Sequence, residues 1–221
     1  MPPKPKFTRE EMIEASVRLI EERGVKALTA RELGSYLGSS SCPIFTVFTD
    51  MEDLRNEVTK RAKGIFDEYM AVAENYAPSY KMRGMQWVKF ADEHPKLFEM
   101  LFMHETGVSS DIVNAASYLA FGIDRDIEII MRDYNATDEQ AHRLCSQMWI
   151  YTFGLCVIVA KRMCIFTMQE IGEKMGEIFS GMIYVIKNVS KECTTITPTI
   201  ASEAHLGAFP DLGGNKKDDK K

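Results

Sequence analysis

The 221-residue chain lacks most of the signatures that would name a chemistry. It has five cysteines, Cys42, Cys145, Cys156, Cys164 and Cys193. Their number is odd and no two stand as C-x-x-C, which argues against a disulfide framework or a zinc ribbon. They read as reduced thiols of a cytoplasmic protein, most of them packed as small hydrophobes. Four histidines, His94, His104, His142 and His205, are scattered. No H-E-x-x-H, G-x-S-x-G, G-x-G-x-x-G or P-loop occurs, so the reading is of a non-enzyme with no metal and no cofactor. His104-Glu105 reads as a solvent-facing pair at a helix end. The opening MPPKPKF lacks an apolar run and is not expected to act as a secretory signal. The uncharged run from Leu144 to Ala160 has 17 residues and includes Ser146, Gln147, Thr152 and Gly154. That is the short limit for a membrane span, so a buried core helix is expected there, with no membrane partner.

Positive charge is missing from one particular place. Between Arg31 and Arg55 there is no Lys or Arg. The whole chain carries a formal charge of −5, which argues against a protein that coats nucleic acid. Residues 1–61 hold ten basic and ten acidic residues, so the negative excess lies entirely in residues 62–221.

Helix starts, by contrast, are plentiful. Thr8-x-x-Glu11, Thr29-x-x-Glu32, Thr137-x-x-Gln140 and Thr167-x-x-Glu170 fit the capping box, in which hydroxyl and N3 side chain each satisfy a free amide of the first turn. Asp50-x-x-Asp53 is a weaker relative, and Phe7 with Met12 has the spacing of a hydrophobic staple. From these caps an all-α chain of about nine helices is expected: Thr8 to Arg23, Thr29 to Tyr36, a short third near Ser40, Asp50 to Glu74, a fifth ending at Glu93, a sixth opened by Pro95, Asp111 to Tyr134, Thr137 to Met163 and Thr167 to Ser190. The domains expected are a three-helix helix-turn-helix unit over 1–54, a helical ligand-binding and dimerisation domain over 55–193, and a disordered tail over 194–221, rich in Pro, Gly and charge.

Two short capped helices around the turn Leu37-Gly38-Ser39, followed by a third, have helix-turn-helix spacing. The residues over Arg9 to Leu54 carry a resemblance. Ala15, Leu19, Gly24, Leu28-Thr29, Leu33, Gly38, Ser40, Phe45, Phe48, Glu52 and Leu54 stand in the register of the tetracycline-repressor (TetR) family of transcriptional regulators. FADEHPKLFEMLF from Phe90 and WIYTFGL from Trp149 resemble, more faintly, segments of its ligand and dimerisation domain. The resemblance implies a homodimer that binds double-stranded operator DNA, a palindrome, and releases it when a small molecule enters the C-terminal domain; repression is the implied sign.

Three positions depart from the family's pattern. Its usual phosphate-binding lysine is Met51, its hydroxyl-bearing aromatic is Phe45, and its usual His or Asn before Phe48 is Val47. Phosphate anchoring is therefore expected from the arm and from helix starts: Lys4, Lys6, Arg9, Thr29 and Arg31, with free amides at helix N-termini. Base reading falls to Ser40, Ser41, Cys42, Pro43 and Thr46, through hydroxyl bonds and apolar contact with thymine methyls, with Phe45 beside them among the DNA-binding candidates. None of these is a bidentate arginine, so modest affinity and a shallow salt dependence are expected. The rival reading is a helical sensor or interaction module that keeps the shape and has lost DNA binding.

In the C-terminal two-thirds the aromatic and methionine residues are dense. Trp87, Phe90, Phe98, Phe102, Phe121, Met148, Trp149 and Phe153 are the candidate lining of a cavity for an apolar or aromatic small molecule. Gly154, Val157 and Ile158, with Ile171, Met175, Ile178, Phe179 and Met182, are candidates for a four-helix dimer seam.

Overall fold

The threonine-led helix starts form hydrogen-bonded caps in the structure, a computed structural model that describes residues 7–103 and 122–189. Thr8 accepts from the Glu11 amide at 3.1 Å while the Thr8 amide donates to the Glu11 carboxylate at 2.8 Å. Thr137 with Gln140 and Thr167 with Glu170 close in the same way. At Thr29 only half the box forms. Its hydroxyl oxygen accepts from the Glu32 amide, but the Glu32 carboxylate turns to Arg23 at 3.1 Å.

Eight α-helices and two 3₁₀ turns are present among the described residues, with no strand. We number the helices α1 (Arg9–Arg23), α2 (Ala30–Tyr36), α3 (Met51–Ala73), α4 (Ser79–Glu93), α5 (Pro95–Phe102), α6 (Ile123–Tyr134), α7 (Asp138–Ala160) and α8 (Met168–Asn188). The 3₁₀ turns are Val25–Ala27 and Ile44–Thr46. In α3, Asp50 accepts from the amides of Glu52 and Asp53. Leu54, Val58, Ala62, Phe66 and Met70 recur every fourth residue and are all buried. That is the apolar stripe a long surface helix needs.

The expected helix near Ser40 is absent as an α-helix. The segment holds turns and the single 3₁₀ turn Ile44–Thr46. Three serines in a row favour side-chain bonding over helix. Pro43 lacks an amide donor and disfavours helical backbone at Cys42. The β-branched Ile44, Thr46 and Val47 add nothing to counter this. The expected boundary after Leu54 also falls inside a continuous helix, since α3 runs unbroken from Met51 to Ala73. The helix expected from Asp111 is described only from Ile123, where Gly122 stands before it at φ 98°. Residues 104–121 and 194–221 lie outside the described ones.

The middle of the molecule is α4, which packs against α3, α5, α6, α7 and α8. Phe66 of α3 is its aromatic hub. It meets Trp87 at 4.7 Å, Phe102 at 5.1 Å and Phe90 at 5.3 Å, each edge to face. That geometry adds to the burial of each ring. Among the described residues one helix, α7, is long and apolar enough to cross a membrane. Here Ala141, Leu144, Cys145, Met148, Thr152, Leu155, Cys156, Val159 and Ala160 are buried inside the bundle.

Candidate functional site

Two places concentrate the predicted site residues. The first is the segment after α2. Gly34 lets the chain turn back onto the helix, because a Cβ there would lie 2.8 Å from the carbonyl carbon and oxygen of Ser40 and 2.9 Å from the Ser41 nitrogen. Gly38, at φ 64°, reverses the chain in a conformation that other residues rarely adopt. The Ser39 amide then donates to the Gly34 carbonyl at 2.8 Å. Ile44 and Phe48 are buried at 0% and 1% exposure and hold the segment from behind. Ser40, Cys42, Phe45 and Thr46 face outward, and Ser41 and Pro43 are half-buried. Phe45 is 50% exposed, an apolar ring presented to solvent.

Polar capacity here is partly committed. The Thr46 hydroxyl donates to the Pro43 carbonyl at 2.6 Å, leaving oxygen lone pairs free. The Thr29 oxygen is used as an N-cap acceptor, leaving its O–H free to donate. Arg31 is exposed on the first turn of α2, and among the described residues it makes no ion pair. Lys26, exposed in the 3₁₀ turn just ahead, matches it, although its position outside any helix gave no sequence signal. Arg55, near the start of α3, is a third such cation.

Arg9 is placed differently from the sequence expectation. Its guanidinium binds Asp53 at 3.0 Å and the Val47 carbonyl at 3.3 Å, and lies 4.4 Å from the centre of the Phe48 ring. The Thr49 amide and Arg9 hold the Asp53 carboxyl below its usual range. Arg9 thus fastens α1 to the end of the exposed segment. Lys4 and Lys6 lie outside the described residues.

The second place is a cavity of about 330 Å³ between α4, α6, α7 and α8. This is within the size range of small-molecule sites, roughly 300–1,000 Å³. Trp87, Met148, Trp149 and Phe153 line it, as the sequence suggested. Phe90, Phe98 and Phe102 do not. They are buried at 0%, 0% and 2% exposure in the core: Phe90 and Phe102 pack against Phe66, and Phe98 packs between Phe102 and Phe153 at 5.4 and 5.6 Å. Phe121 lies outside the described residues. Sequence reading missed Tyr80, Lys81, Arg83, Asp126 and Tyr134 on this wall, and it assigned Met175 and Phe179, which also line it, to a dimer seam. Spacing carried part of that signal, since Tyr80, Arg83, Gly84 and Trp87 share one face of α4 at helical periodicity.

Arg83 and Asp126 form an ion pair inside this mostly apolar wall, with side chains 6% and 16% exposed. Arg83 also reaches Glu74 at 3.5 Å and the Gly122 carbonyl at 3.4 Å. Burial pushes the Asp126 carboxyl up and Arg83 opposes that shift. Burial likewise raises Tyr80 and lifts the Cys145 thiol to about 12. Cys156 is fully buried and raised too, whereas Cys42 and Cys164 are exposed. Native protein treated with iodoacetamide at neutral pH should therefore label at Cys42 and Cys164 and leave Cys145 and Cys156 intact until it unfolds. Peptide mass mapping reads this directly; rapid labelling of Cys145 would contradict the packing. Among the described residues no group of three or more His, Cys, Asp or Glu is placed to hold a metal ion.

The two places are joined. His94, between α4 and α5, lies 2.5 Å from Glu21 of α1 through Nδ1 and 3.1 Å from the Tyr69 hydroxyl through Nε2. The helix that lines the cavity thus ends against the helix that carries Arg9.

No protein-family model matches the chain, and neither does any curated protein sequence. Among solved structures, a TetR-like transcriptional regulator from Rhodococcus sp. RHA1 is similar, with a TM-score of 0.58 and 14% identity, over 82% of this chain and 97% of that one. The likeness is one of fold, an all-helical chain among the described residues.

Proposed function

We propose that this chain, which has the fold of a TetR-like regulator, is a DNA-binding transcriptional regulator that works as a homodimer and releases its operator when a small molecule fills the cavity. One observation carries this reading. An exposed segment of small and apolar side chains, pinned by Ile44, Phe48 and Arg9, is linked through His94 and Glu21 to the helix that walls an apolar cavity. Rigid placement of the segment suits major-groove reading, in which a few side chains must meet base edges together. Phosphate anchoring falls to Arg31, Lys26 and Arg55, the Thr29 hydroxyl and the amides at helix starts, doubled in a dimer. A molecule in the cavity that shifts α4 would move His94, then α1, and so change the spacing of the two reading segments.

The homodimer reading rests on the outer face of α7 and α8. Ile150 is 50% exposed and Tyr184 65% exposed, and a Cβ on Gly154 or Gly181 would meet nothing within 4 Å. Those open positions permit close helix approach by a second copy. Ile150→Arg is expected to shift the protein from dimer to monomer, measured by sedimentation equilibrium, without changing its helix content. A dimer unchanged by that substitution would place the interface elsewhere.

The engagement of Arg9 with Asp53, together with the absence of Lys or Arg between Arg31 and Arg55, favours the competing reading of an interaction module without specific DNA binding. A gel shift separates the two. The full chain is expected to retard the region upstream of its own gene and not a scrambled duplex, with a salt dependence shallower than that of a lysine-rich reader. Folded dimer that shifts neither duplex at low salt would favour the interaction module.

A further inference from the structure

The cavity wall is unbalanced in charge. Its charged lining residues are Lys81, Arg83 and Asp126. Arg83 and Asp126 neutralise one another, and Arg83 is further satisfied by Glu74 and the Gly122 carbonyl. Lys81 is exposed and makes no ion pair among the described residues. Its stem lies along α8 beside two glycines. A Cβ on Gly172 would come 3.7 Å from its Cε, and one on Gly176 would come 3.6 Å from its Nζ. Each glycine makes the helix less stable than alanine would. Here the pair gives the lysine room to lie against the cavity, which Gly176 also lines.

The rest of the wall defines the other end of a ligand. Tyr80, Trp87, Met148, Trp149, Phe153 and Phe179 present rings and a thioether. Among the described residues no buried side-chain nitrogen or oxygen lacks a hydrogen-bond partner. A polar ligand body would therefore find few groups free to bond it and would lose its water uncompensated. A cationic ligand would face a wall carrying one net positive charge, with Asp126 already held by Arg83.

We propose that the cavity takes a small monocarboxylate with an apolar body, the carboxylate bound by Lys81 and the body lying against Trp87, Trp149 and Phe153. The proposal rests on the reading of this cavity as the effector site and names the chemical class that it accepts. Arg83 does not take the carboxylate, because its own carboxylate partners already occupy it; its role is to keep Asp126 neutralised in the wall.

The chain's two tryptophans both line the cavity, so their emission reports its occupancy. The probes are octanoate, octanol and octylamine, which share a body and differ in the head. Full-length protein is expected to bind octanoate about tenfold or more tighter than octanol, and octylamine most weakly. Lys81→Met should remove the octanoate preference and leave octanol binding as it was; Lys81→Arg should keep the preference. Equal binding of octanoate and octanol, or a preference that survives Lys81→Met, overturns the carboxylate assignment while leaving an apolar effector cavity in place. No change in emission with any of the three overturns the effector reading itself as well.

Discussion

Gly34→Ala is expected to lower operator affinity by about 10²- to 10⁴-fold while leaving the cavity intact. The reason is geometric. The added Cβ would stand 2.8 Å from the carbonyl carbon and oxygen of Ser40 and 2.9 Å from the Ser41 nitrogen. Those are backbone atoms, so no rotamer change relieves the clash; the turn itself must move. Moving it displaces Ser40, Ser41, Cys42, Phe45 and Thr46 together, and each lost base contact is worth about 1–3 kcal/mol. The strain also destabilises the fold, by about 1–3 kcal/mol as overpacking usually does. Titration by fluorescence anisotropy of a labelled operator duplex measures the first effect. Tryptophan emission measures the second place independently, because Trp87 and Trp149 lie in the helical body. Unaltered operator affinity would show that the segment after α2 does not read DNA.

Phe66→Ala should produce the largest loss of stability of any single substitution considered, about 3–5 kcal/mol. Phe66 is 0% exposed and its ring meets Trp87, Phe90 and Phe102 within 5.3 Å. Truncation removes apolar surface and leaves a cavity that three rigid rings cannot collapse to fill. Against a typical total of about 5–15 kcal/mol, that is a large share. Urea unfolding at fixed protein concentration, followed by circular dichroism, gives the value. Phe66→Leu should lose clearly less. Two equal and small losses would mean that the aromatic cluster of α3, α4 and α5 is not the centre of the core.

The order in which features became readable follows their range along the chain. Caps are local, so Thr8, Thr29, Thr137 and Thr167 gave helix starts that the structure reproduces almost to the residue. The turn at Gly38 was legible for the same reason. Near Ser40, where the caps lead to a short third helix, the chain holds only a 3₁₀ turn, because three serines and a proline disfavour helical backbone there. Arg9 could not be placed from sequence, since its partners Val47 and Asp53 lie 38 and 44 residues away. Composition found the aromatic-rich cavity but not its membership. Phe98 and Trp87 look alike in sequence, and only helix packing keeps one off the cavity wall while the other, also packed on Phe66, lines it. Arg83 and Asp126, 43 residues apart, gave no local sign of pairing.

A hydroxyl-radical footprint of the full chain on its bound upstream fragment tests the central claim most directly. Two copies of one helix-turn-helix, related by a two-fold axis, should protect two equivalent patches on one face of the duplex, about one helical turn or a whole number of turns apart. Octanoate should weaken both patches together. A single patch, uniform protection without regard to sequence, or no protection by folded protein at low salt would contradict the account.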